Sequence, residues 1–180
     1  FYRDSSLYYE MVQSFSIGDW ENAFRLNLPI LYPALAGVLA CLGIPSMPSM
    51  LLVSGIFYAL TVFPLFHLLK QFFTEKQSLI GVVLFMLHYE AASYYCAPLL
   101  DSGRIFFITA LMALIFSSRG FSWKKLTLCG ICYAALSLVR SEGIILSGML
   151  MAANLIWLLF QCKENFLRSV AGIFYSVAVM

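Results

Sequence analysis

LNLPILYPALAGVLACLGIPSMPSMLLVSGIFYALTVFPLF, residues 26–66, contains no charged side chain. A membrane-spanning helix needs about 20 apolar residues at a rise of about 1.5 Å each, so this run is too long for one span. Pro45 and Pro48 punctuate it, and the reading divides it into Pro29–Ile44 and Pro48–Leu69. Downstream, apolar segments recur at Ser78–Pro98, Leu99–Ser118, Leu126–Val139 and Gly143–Gln161, with a last one opening at Ser169. Their Gly and other small residues suit close helix contact in a bilayer. No period-2 alternation suggests a barrel. These segments predict an all-α integral membrane fold, a multi-pass transmembrane helix bundle.

Composition agrees. The chain is 62% hydrophobic and 11% charged, with a mean hydropathy of +0.87, whereas soluble domains carry about 25% charged residues. A net charge of +2 with no basic run argues against a nucleic-acid partner. The first residue is Phe and the chain stops inside an apolar run from Ala171, which reads as a fragment truncated at both ends. Cys129 and Cys132 form a C-x-x-C within LTLCGICYAALSLV. No thiolate would be stabilised there, so packing is preferred to redox or metal chemistry.

Basic residues fall in three linkers: Lys70 with Lys76; Arg119 with Lys124 and Lys125; Lys163 with Arg168. Placing all three on the cytoplasmic side makes Pro48–Leu69 run inward and puts everything before it outside. Pro29–Ile44 is then a helix in the outer interface rather than a full span. Residues 1–47 thus form a first outer loop with juxtamembrane helices, and residues 48–180 the bundle. The expected location is a plasma membrane, of bacterial inner-membrane type, with the working face outward.

Under that topology Asp4, Glu10, Asp19, Glu21, Glu90, Asp101 and Glu142 lie outside, and Glu75 and Glu164 inside. Ionisable groups near membrane depth are costly and face a cavity or a partner, so an outward polar pocket is expected. Asp4 precedes a helical pattern at Leu7, Met11 and Phe15, where N-capping and chemistry are both open to it. Asp101 and Arg104 are spaced i, i+3 and share a helix face, as an ion pair or a working pair. Arg140 and Glu142 do not face each other on a helix, so a bend over 141–143 is expected, leaving Arg140 for an anionic head group. Glu90 is read as a partner for Arg104 or Arg140, and His67 and His88 as hydrogen-bonding residues without ligand spacing. Tyr8, Tyr9, Tyr89, Tyr94 and Tyr95 suit an interfacial belt or a sugar-stacking surface.

The order of these features resembles the glycosyltransferase C superfamily, in the branch of dolichyl-phosphate-mannose–protein mannosyltransferases and bacterial aminoarabinose transferases. The matching residues are Arg3-Asp4, Tyr8 and Tyr9, Gly18-Asp19-Trp20, Pro29-Ile30-Leu31-Tyr32-Pro33, Leu100-Asp101-Ser102, and residues 134–143 with Leu138, Arg140, Glu142 and Gly143 in place. The chain departs at two points: a single Asp stands where an acidic pair is common, and Leu28 replaces the first Pro of the loop motif. The resemblance implies transfer of a sugar from a polyprenyl phosphate to a lipid, glycan or protein acceptor at the outer face, with inversion. Asp4 would be the general base, and Asp101 would orient the acceptor or an arginine. Arg104 and Arg140 would neutralise the departing phosphate. Arg3, Tyr8, Tyr32, Glu90 and Glu142 complete the expected substrate-binding set. No cofactor or metal ligand is expected, a divalent cation being left open. The rival reading is a transporter or lipid flippase that uses the same pocket for binding.

Overall fold

The computed structural model describes residues 3–24, 28–89, 92–93, 97, 100–117, 123–139 and 142–161; at 3–4, 154–155 and 157–161 it describes the backbone alone. Among these residues every regular element is helical: α1 (Arg3–Ser16), α2 (Trp20–Phe24), α3 (Leu31–Cys41), α4 (Ser46–Leu60), α5 (Val62–Leu69), α6 (Glu75–Leu87), α7 (Asp101–Phe116), α8 (Trp123–Val139) and α9 (Gly143–Gln161). The all-α expectation holds. Arg119, Lys163, Arg168 and the segment from Ser169 lie outside the described residues.

Turn chemistry organises the N-terminal third. Gly18 takes φ +75°, a left-handed conformation open to Gly at little cost. It lets Gly18 N–H reach Phe15 O at 3.2 Å and Asp19 N–H reach Ser14 O at 2.9 Å, which satisfies the last carbonyls of α1. Asp19 then starts α2, its Oδ1 accepting from Asn22 N at 3.2 Å and its Oδ2 from Asn22 Nδ2 at 2.6 Å. These bonds hold the Asp19 carboxyl below its ordinary range. The reversal folds Trp20 and Phe24 onto Phe15, both at 5.7 Å between ring centroids. Gly43, at φ +91°, ends α3 by the same device.

α1 lies on α3, and the approach is close because Gly37 has no side chain. A Cβ there would stand 2.5 Å from Phe15 Cβ. Tyr8, Met11 and Val12 of α1 join Tyr32 and Ala36 of α3, Met50, Val53 and Phe57 of α4, Leu100 and Val139 in one buried cluster. Tyr32 is fully buried. Its hydroxyl donates to Met50 O at 2.9 Å and shares a second bond with Ser54 Oγ at 2.9 Å, while Tyr8 meets its ring edge-on at 6.2 Å. Burial pushes the Tyr32 phenol well above its ordinary range. Tyr32→Phe leaves Ser54 without this partner in a dry site, so a stability loss of about 1–2 kcal/mol is expected. Thermal unfolding of the variant checks it; an unchanged midpoint would show that the hydroxyl does not tie α3 to α4.

α4 and α5 run almost as one helix. Pro48 falls in the first turn of α4, where its missing N–H would have no helical partner anyway, so the helix starts at Ser46 rather than at Pro48. Pro64 deprives Leu60 O of a donor, and a break falls at Thr61. There the Thr61 hydroxyl donates to Phe57 O at 2.7 Å. Ser46–Leu69 spans 24 residues and, among those described, is the one helix long and apolar enough to cross a membrane.

The Ser78–Pro98 segment differs from expectation. α6 begins earlier, with Thr74 and Gln77 forming a reciprocal capping box, and it ends at Leu87 with His88 extended (ψ 104°). The Tyr58 hydroxyl lies 3.1 Å from Phe85 O and 3.3 Å from Met86 O, so it covers carbonyls of the last helical turn, of which Phe85 O also accepts from His88 N at 3.4 Å. α6 therefore stops level with the middle of α4–α5. The 16 residues of α7 and 17 of α8 reach about 24–26 Å. They are also shorter than an ideal span.

α7 packs against α4, α5 and α8, and α8 against α9. The second core gathers Leu111, Cys129, Tyr133 and Leu136, with Phe107, Cys132, Leu146 and Leu150 around it. Both halves of the C-x-x-C thus pack into the bundle. Phe72 meets Phe116 at 5.7 Å, and Lys125 Nζ donates to Ser117 O at 3.2 Å. The linkers with Lys70 and Lys76 and with Lys124 and Lys125 therefore share one end of the bundle. α1, α3 and the start of α7 lie toward the other.

Candidate functional site

The start of α7 carries the pair its spacing predicted. Arg104 Nη1 lies 3.8 Å from Asp101 Oδ1, with Asp101 14% and Arg104 41% exposed. A half-exposed pair at this distance contributes less than about 1 kcal/mol, too little to be a structural requirement. The guanidinium keeps donors that the carboxylate does not use.

Arg104 also lines a cleft of about 250 Å³ with Glu142, Gly143, Ile145, Leu146 and Met149. Three features of the α8–α9 hairpin build it. α8 ends at Val139 and α9 opens at Gly143, and residues 140 and 141, at the expected bend, lie outside the described residues. Glu142 sits just before the helix, its carbonyl accepting from Leu146 N at 3.1 Å. The two helices are drawn together by Ser147, whose hydroxyl lies 3.3 Å from Tyr133 O and 3.4 Å from Ser137 Oγ. One cation and one acid thus line a cleft whose other side chains, Ile145, Leu146 and Met149, are apolar. Residues 145, 146 and 149 share one face of α9, and Glu142 precedes the helix at the matching spacing.

The remaining candidates divide. Asp4 stands in the first turn of α1, inside the helix rather than before it as an N-cap; Arg3 is the helix's first residue. The side chains of Arg3 and Asp4, and all of Glu90, Arg140, Tyr94 and Tyr95, lie outside what is described. Tyr8 is 5% exposed and packs on Tyr32. Tyr32, expected at the substrate, instead has its hydroxyl engaged between α3 and α4. Tyr89 is 81% exposed. Among the described residues, no three His, Cys, Asp or Glu side chains gather as a metal site.

Two features escaped the sequence reading. The Ser5 and Ser102 hydroxyls are buried without a hydrogen-bond partner, next in sequence to Asp4 and Asp101. Serines are common in helices, and nothing in a single sequence marks these two. The aliphatic wall of the cleft was missed as well, although its i, i+3, i+4, i+7 spacing was there to be read.

No protein-family model, no curated protein and no solved structure matches the chain.

Proposed function

We propose that this chain belongs to a multi-pass membrane glycosyltransferase, which moves a sugar from a polyprenyl-phosphate donor to an acceptor at the extracytoplasmic face. The observation that carries the reading is the pairing of Arg104 with an aliphatic cleft wall beside Asp101 and Glu142. A polyprenyl phosphate has the same division, an anionic head on an apolar chain. Guanidinium binds phosphate through two parallel donors, and Ile145, Leu146 and Met149 offer apolar surface to the first isoprene units.

Two further features support the membrane setting. Large apolar side chains stand exposed along α4 (Leu51, Leu52, Ile56), α6 (Leu79, Ile80, Val83, Leu84, Leu87), α8 (Leu128, Ile131, Leu138) and α9 (Ile144, Ile145, Met149). Soluble monomers rarely expose apolar patches beyond a few hundred Å², whereas a bilayer covers such faces. On α1–α2, Ile17, Trp20 and Phe24 are 77%, 60% and 54% exposed, as an interfacial belt requires. In this account α4–α5, α6 with the segment that follows it, α7, α8 and α9 cross the membrane, and α1–α3 lie along its outer surface.

Asp4 accepts the proton of the acceptor hydroxyl as that oxygen attacks the anomeric carbon. The bond from that carbon to the phosphate oxygen breaks, and the configuration inverts. Arg104 and Arg140 stabilise the charge gathering on the departing polyprenyl phosphate. Asp101, 3.8 Å from Arg104, holds the guanidinium toward the cleft.

Binding of sugar-free polyprenyl phosphate to the purified full-length protein tests the cleft without requiring turnover. Arg104→Gln is expected to weaken binding about tenfold, the loss of one charge-assisted pair. Arg104→Lys should recover part of it. Equal affinity in all three proteins would remove Arg104 from the donor site.

A further inference from the structure

At the lysine-bearing end, a second groove of about 520 Å³ is lined by Pro64, His67, Gln71, Ala110, Ala113, Leu114, Ser117, Leu128 and Cys132. α7 forms its floor through positions 110, 113, 114 and 117, one helical face about 10 Å long. α5 and α8 are the walls. Ala110 and Ala113 make it deep, since larger side chains there would fill the space between the walls.

Its polarity is graded along its length. Pro64, Ala110, Ala113, Leu128 and Cys132 line the inner part, whereas Gln71 and Ser117 stand at the mouth with His67 one turn in. Lys125 Nζ is held there by Ser117 O at 3.2 Å, and Lys70 lies over the Phe66 ring at 5.4 Å. Among the described residues this end carries Lys70, Lys76, Lys124 and Lys125 against one acid, Glu75, and Glu75 lies 3.4 Å from Lys70.

We infer that this groove holds one anionic phospholipid of the inner leaflet, its phosphate at Lys125, Gln71 and His67 and the upper part of one acyl chain on Ala113, Ala110 and Leu128. Charge complementarity selects this occupant, because Lys125 stands at Ser117 on the mouth and the walls below are apolar. A zwitterionic lipid would fit the walls but gain less at the mouth. The inference rests on the membrane reading above but not on the Arg104 cleft or on the chemistry proposed there. The lipid would brace α5 against α8, both of which pack on α7.

Native mass spectrometry of the delipidated full-length protein, titrated with phosphatidylglycerol or phosphatidylcholine, tests it. One phosphatidylglycerol is expected to bind about fivefold more tightly than phosphatidylcholine, the gain from one lysine near an anionic head. Lys125→Gln should remove that preference, and Ala113→Leu should weaken both lipids while helical content by circular dichroism stays unchanged. Equal affinity for the two lipids, or phosphatidylglycerol binding untouched by Ala113→Leu, would overturn the groove. So would a wild-type protein that retains no lipid, as when another segment or a second copy fills the space. A protein that fractionates without detergent would instead defeat the membrane reading, so the two failures are distinguishable.

Discussion

Asp4→Asn is expected to lower sugar transfer by about 10²- to 10⁴-fold, the usual contribution of a positioned general base. Asn keeps the size of the side chain and removes its proton-accepting charge. The loss should fall on kcat, with the donor KM little changed, because Arg104 and the cleft wall remain. Stability should change by less than about 1 kcal/mol, the scale of a first-turn carboxylate acting on the helix dipole. Asp101→Asn should behave differently. It frees Arg104 from its partner at 3.8 Å, so the effect should appear in donor KM as well as in kcat. Turnover that survives Asp4→Asn but falls with Asp101→Asn would transfer the base role to Asp101.

The second large effect is structural. A Cβ on Gly143 would overlap the Leu136 carbonyl oxygen and stand 2.8 Å from its carbon and 3.2 Å from Ser137 Cα. These are backbone atoms of α8 and cannot rotate away. Gly143→Ala should therefore force α9 off α8 at a cost of about 3 kcal/mol, the upper part of the range for overpacking. The shift would also open the cleft at Glu142 and Leu146. Gly148→Ala is the control on the same helix, because nothing lies within 4 Å of a Cβ there. It should be neutral or stabilising by up to about 1 kcal/mol. Detergent-solubilised thermal unfolding of both variants reads the difference, and equal midpoints would contradict the close α8–α9 approach.

Local rules account for what was legible in the chain. Helix after helix follows from apolar runs bounded by Pro, Gly and charge, and the i, i+3 spacing of Asp101 and Arg104 foretold their pairing. Two lysine linkers share an end of the bundle, which is where the expected topology put them together. The end of α6 at Leu87 was not legible, because the hydroxyl that covers its last carbonyls comes from Tyr58 on another helix. Tyr32 misled for a related reason. An aromatic residue with a polar tip reads alike at an interface and in a core, and only the arrival of Met50 and Ser54 decides between them. That Arg104 and Glu142 line one cleft depends on Ser147 drawing α9 to α8, a contact no local pattern encodes. The N-cap reading of Asp4 missed by one residue, because α1 opens at Arg3.

The most direct test presents the full-length protein, in membranes, with a panel of radiolabelled polyprenyl-phosphate sugars and follows release of the sugar. The account predicts turnover of at least one donor, with inverted product. No turnover of any donor, together with saturable uptake of a solute, would contradict it in favour of a transporter.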